Sequence, residues 1–225
     1  MHPILLFPML LAAPGAQEKP PSPLVRSQSV TGEAVDLACR LFPRPGGAHA
    51  CAAECLARGV FPAVIDEASG KAWLVFEKDR RPAGERLAAH AGGRVRLTGK
   101  THEGRGVRAV VLDGIAKAEG EKAASAPAPG EPERARETTL LASVVSVLDQ
   151  VEASAKGQKH ACSAKCAQGG ALLGLLDLES GRLYLAFTPE RKDARPLLEP
   201  YAGLKVRASG RVSGVAIELV RVEKG

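Results

Sequence analysis

The stretch His49-Ala50-Cys51-Ala52-Ala53-Glu54-Cys55 recurs as His160-Ala161-Cys162-Ser163-Ala164-Lys165-Cys166, 111 positions later. The likeness extends well beyond it. The two halves align without a gap from Gly32 against Ser143 to Lys100 against Arg211, and only the last hairpin of the second copy is shorter, by four residues. A chain of 225 residues carrying such a repeat is expected to fold as two small domains of one architecture. Domains of about 85 residues bury a modest core and are often helped by a metal or a disulfide.

The ends and the middle punctuate the repeat. Residues 1–16 read as an export signal, with the apolar run Ile4 to Leu11 followed by the small residues Ala12-Ala13-Pro14-Gly15-Ala16. Residues 17–28, rich in Pro, Ser and charge, read as a flexible tether, and residues 117–137 as a Pro/Ala/Glu linker. Domain one then covers 29–116 and domain two 138–225, free to move relative to one another. No segment after the leader has the 18 or more apolar residues of a membrane span. The expectation is an exported protein, periplasmic or secreted, in an oxidising compartment.

Within each copy the order is strand, helix, strand, strand, helix, strand, strand. Strand one covers Thr31 to Leu41, and the Cys helix runs from Ala48 to Ala57. A hairpin pairs Phe61–Asp66 with Lys71–Phe76 across Glu67-Ala68-Ser69-Gly70, matched by Leu172–Asp177 and Arg182–Phe187. Short helices at Ala83–Ala91 and Ala194–Ala202 precede the strands Arg94–Gly99 and Lys205–Gly210, and Gly106–Ile115 and Val215–Val222 close the copies. The fold class is mainly β with short helices: two tandem OB-like five-stranded barrels, each with a Cys-bearing helix inserted after strand one. Alternation puts Ala72, Leu74 and Phe76 on the core face, with Leu183, Leu185 and Phe187 matching. Trp73 and Tyr184 fall on the other face, where packing against a helix or the other domain competes with a binding role.

Composition narrows the partners. Aromatic residues make up 4% of the chain, so the core rests on Val, Leu, Ile and Ala, and few rings remain to stack on bases. The net charge of +6 is spread along the chain. This disfavours nucleic acid and leaves an acidic protein or surface as the partner class that charge would favour.

Chemistry concentrates in the doubled motif. Cys51 and Cys55 are four apart and share one side of a helix, with His49 at its entrance. Cys39, on strand one, can complete a Cys39, His49, Cys51, Cys55 set of the kind zinc uses and Cu(I) uses in part. In the second copy Gln150 aligns with Cys39, leaving His160, Cys162 and Cys166. Disulfides are the alternative. A Cys51–Cys55 or Cys162–Cys166 bridge strains a helix, because Cβ atoms four apart lie about 5–6 Å from one another against the roughly 3.5–4.5 Å of a relaxed bridge. Cys39 can instead pair with Cys51 or Cys55. No Cys-x-x-Cys, His-Glu-x-x-His or phosphate loop is present, so no catalytic residue is assigned and a non-enzymatic role is favoured. Asp66 and Asp177 read as turn residues, and His90 and His102, which have no counterparts in the other copy, as surface groups.

Each copy resembles bacterial exported barrel domains of uncharacterised function. The resemblance rests on Gly32-Glu33-Ala34-Val35-Asp36-Leu37-Ala38-Cys39, the helix from His49 to Cys55, and Gly59-Val60-Phe61-Pro62-Ala63-Val64-Ile65. It implies a barrel and an exported setting, and no activity. The function expected is binding of a soft metal, Zn(II) or Cu(I), by the Cys/His helices. Two alternatives stand beside it: a thiol-disulfide redox protein, and a structural or partner-binding module with stapled helices.

Overall fold

The computed structural model describes residues 27–43, 52–57, 60–119, 135–158, 167 and 169–225. The first copy contains β1 (Ser27–Asp36), α1 (Leu37–Leu41), α2 (Ala52–Ala57), β2 (Pro62–Asp66), β3 (Ala72–Phe76), α3 (Gly84–Ala88), β4 (Arg94–Gly104) and β5 (Val107–Lys117). The second contains β6 (Arg136–Ser146), α4 (Val147–Ala155), β7 (Leu173–Asp177), β8 (Leu183–Phe187), α5 (Arg195–Leu198), a 3-10 turn (Glu199–Tyr201), β9 (Lys205–Ser213) and β10 (Ala216–Lys224). Each set of five strands closes into a barrel, in the orders β1-β2-β3-β5-β4 and β6-β7-β8-β10-β9. The two barrels thus share the OB-like topology expected from the repeat. Among the described residues no helix is long and apolar enough to cross a membrane.

Strand one ends sooner than its apolar pattern predicts. The expected strand to Leu41 stops at Asp36, and Leu37–Leu41 is helical. Asp36 causes the switch: in extended conformation it accepts the Cys39 N–H on its carboxylate at 2.9 Å, which satisfies an orphan donor of the first helical turn. Ser146 plays the same part at the start of α4, accepting from the Asp149 N–H.

The gapless alignment is also corrected at this point. Gly32 pairs with Asp66 and Val95, whereas Ala142 pairs with Asp177 and Val206. Strand one is therefore related to its copy by 110 positions, while the strands it pairs with are related by 111. The extra residue of the second copy lies between strand one and β7. Cys39 corresponds to Asp149, not to Gln150.

The barrels dock, contrary to the freedom that the linker composition predicts. Val30, Ala34, Val64, Val75, Val95, Leu97, Val110 and Leu112 fill barrel one, and Leu87 of α3 belongs to the same cluster. The alternate residues of the same strands point outward and are equally apolar. Ala63, Ile65, Leu74, Phe76, Val107 and Ala109 join α1 and the whole core of barrel two in a single cluster. The Ala72, Leu74, Phe76 face is buried as expected, but against the second barrel, while Val75 faces the barrel interior with Trp73 packed against that cluster. Phe187 lies at the junction, with the rings of Phe42 and Phe61 edge-on to it at 5.0 and 5.9 Å. Tyr184 is buried too, under the Arg182 guanidinium, 5.7 Å from its ring centre.

Candidate thiol site

Asp36 caps α1 and so sets where Cys39 stands. The helix buries Leu37 and Ala38 in the shared core, and Cys39 itself is 4% exposed. Helix α2 is anchored by Leu56, buried with the interior of barrel one, which leaves Cys55 half-buried near α1. The two sulfurs are 3.3 Å apart. They belong to separate helices, α1 and α2.

This distance is well beyond the ~2.05 Å of a disulfide bond and slightly inside the ~3.7 Å that two thiolates keep when they share a tetrahedral zinc at about 2.3 Å each. The two sulfurs are close enough to act as one unit. Burial pushes the Asp36 carboxyl above its usual range, against the opposing pull of hydrogen bonds from the Cys39 N–H and side chain.

Of the seven residues expected at the metal, Cys39 and Cys55 come together here. Cys39 does so from a helix rather than from the expected strand. His49, Cys51, His160, Cys162 and Cys166 lie outside the described residues. Among the described residues no group of three or more His, Cys, Asp and Glu is gathered as a metal would require. In barrel two the counterpart of Cys39 is Asp149, held by Arg80 of barrel one. Gln150, beside it, is 1% exposed, and its Oε1 has no hydrogen-bond partner among the described residues.

Sequence reasoning missed the capping role of Asp36 and the place of Asp149, though both leave a signal. Asp36-Leu37-Ala38-Cys39 is an N-cap ahead of apolar residues, and Ser146-Val147-Leu148-Asp149 has capping-box form. His102 is a correction. It is 8% exposed rather than a surface group, and its Nε2 is 3.5 Å from Glu152 Oε1 of α4. Asp66 and Asp177 are turn residues as expected: Asp66 accepts from Ser69 Oγ at 2.5 Å, and Asp177 from the Glu179 and Ser180 N–H groups at 3.2 Å. Burial alone would push the Asp177 carboxyl up, but the bonds from Ser180 and Glu179 outweigh it and hold the group low.

No protein-family model, curated protein or solved structure matches the chain.

Proposed function

We propose that the protein binds a soft metal ion, Zn(II) or Cu(I), at the first copy of the Cys motif, in an exported setting. The observation that carries this reading is the approach of Cys39 to Cys55 at 3.3 Å. Cys39 is the residue that completes a four-ligand Cys39, His49, Cys51, Cys55 set by sequence, and it stands beside a cysteine of the doubled motif from another helix. Two thiols held in advance lower the ordering cost of binding, and soft sulfur ligands select these ions over Mg(II) or Ca(II). Docking of the barrels against α1 fixes one of the two sulfurs. The second copy has Asp149 in place of Cys39, so the proposed site belongs to barrel one.

A second reading, a dithiol that cycles with a disulfide, is favoured by the same distance, which is shorter than shared zinc ligation would give. The two readings separate in one measurement: metal content and free-thiol count on mature protein prepared under argon. Retained Zn or Cu, lost in Cys39→Ser with Cys55→Ser, supports metal binding. Metal-free protein whose Cys39–Cys55 bond forms and reduces reversibly supports the dithiol and sinks the metal. Metal-free protein with inert thiols or an irreducible bond sinks both.

A further inference from the structure

A cavity of about 220 Å³ lies between the barrels and is independent of the thiol site. Its walls are Leu37 and Leu41 of α1, Ile65 and Leu74 of barrel one, and Leu185 and Val215 of barrel two. Leu37, Ile65, Leu74 and Leu185 are each 5% exposed or less. Leu37 and Leu41 are four apart and share one face of α1, whereas Cys39, two positions on, is turned about 200° away from Leu37. The thiols and the cavity therefore use opposite faces of one short helix.

The rim has one sign of charge. Lys71 and Arg108 line it, and no carboxylate does so among the described residues. Arg108 is held by Glu103 on its own hairpin, while Lys71 is exposed at the end of the β2–β3 turn. An apolar cavity of about 150 Å³ already takes benzene, so this one has room for a longer or branched apolar group. With cations at its mouth, the complementary ligand is anionic at one end.

We propose that this cavity binds a small amphipathic carboxylate, its apolar tail between Leu37 and Leu185 and its carboxylate at Lys71 and Arg108. Octanoate is the probe and octanol its uncharged counterpart, each titrated into the full chain by calorimetry and followed by thermal unfolding. Octanoate is expected to raise the unfolding temperature and to bind about tenfold more tightly than octanol. Lys71→Met with Arg108→Met is expected to remove that advantage and leave octanol binding unchanged, and Ala72→Phe, which fills the cavity, to remove both. Because Ala72→Phe can fail to fold, magnetisation transfer between the octanoate methyl protons and the methyl groups of Leu37 and Leu185 is measured on the unaltered protein. Absence of octanoate binding, equal affinity for octanol, or bound octanoate without transfer to those methyl groups would each overturn the proposal.

Discussion

Arg80 and Arg191 occupy equivalent turns of the two barrels, both with left-handed backbones (φ 73° and 58°), and each reaches across to the strand-one helix of the other barrel. Arg80 pairs with Asp149 and, at 3.1 Å, with Glu152 on α4; Arg191 donates to the Phe42 carbonyl that ends α1. Phe42 and Glu152 are related by the 110-residue offset of strand one, so the two contacts are copies of one another.

Burial tends to lower the Arg80 pKa, but the hydrogen bond to Glu152 and the charges of Asp149 and Glu152 outweigh it and raise it. The side chain is 41% exposed, so solvent screens much of this attraction. Arg80→Ala is expected to cost about 1 kcal/mol in urea unfolding. Arg80→Gly should cost less than Arg80→Ala, since glycine relieves the left-handed backbone at the same loss of contact.

The shared core predicts one cooperative unfolding transition for both barrels. Phe187→Ala removes the ring that meets Phe42 and Phe61 and is expected to cost about 3–5 kcal/mol. With the junction weakened, calorimetry should show two transitions. A single, merely lowered transition would mean that the barrels remain coupled without that ring.

Asp36 acts on the thiols through the start of α1. Asp36→Ala is expected to cost about 1–2 kcal/mol and to reduce Cys39–Cys55 cross-linking by a short bifunctional thiol reagent. Asp36→Asn, which still caps, should restore most of the cross-linking. A rescue of stability without rescue of cross-linking would show that the cap does not set the thiol geometry.

His102 predicts acid sensitivity. Burial holds its imidazole below the usual 6.5, outweighing the attraction of Glu152, with Lys156, Arg80 and Lys100 adding to the lowering. The unfolded chain therefore takes up this proton more readily than the folded one. The stability contributed by the neutral ring is complete above pH 6.5 and is lost as pH falls from there through the lowered folded value. His102→Gln should flatten that part of the stability profile, measured by urea unfolding between about pH 7 and pH 5.

Gly99 and Gly210 mark the same close approach in both barrels. A Cβ at Gly99 would lie 2.1 Å from the Val111 carbonyl oxygen, and one at Gly210 would lie 2.2 Å from that of Glu218. The obstacle in each case is backbone, which cannot rotate away. Gly99→Ala and Gly210→Ala are each expected to destabilise by more than about 2 kcal/mol; a shift below a few tenths would mean that the strands slide apart freely.

Much of the fold was legible because it depends on local signals that occur twice. The Ser-Gly turns after Asp66 and Asp177, the alternation from Ala72 to Phe76, and the shortened last hairpin are each read from neighbouring residues. Cys39 was harder. Its run of apolar residues suits a strand as well as a short helix, and the bond from its N–H to Asp36, together with that from the Phe42 N–H to the Ala38 carbonyl, decides for the helix. The match of Cys39 with Gln150 failed for a related reason: one residue added after strand one is invisible to side-chain likeness but moves every hydrogen-bonded partner. His102 looked like a surface group because the residues that bury it belong to the other barrel.

By itself, the repeat determined that the chain builds two barrels of one topology and that its cysteines fall between the first and second strands of each copy. Tertiary structure decided which apolar face fills a barrel and which joins the two. Val75 and Leu74 point to opposite sides of one strand and are equally apolar, so alternation separates the faces without naming their partners. The meeting of Cys39 with Cys55 is of the same kind, since their approach depends on α1 packing into the shared core and α2 onto barrel one, and on no periodicity within either.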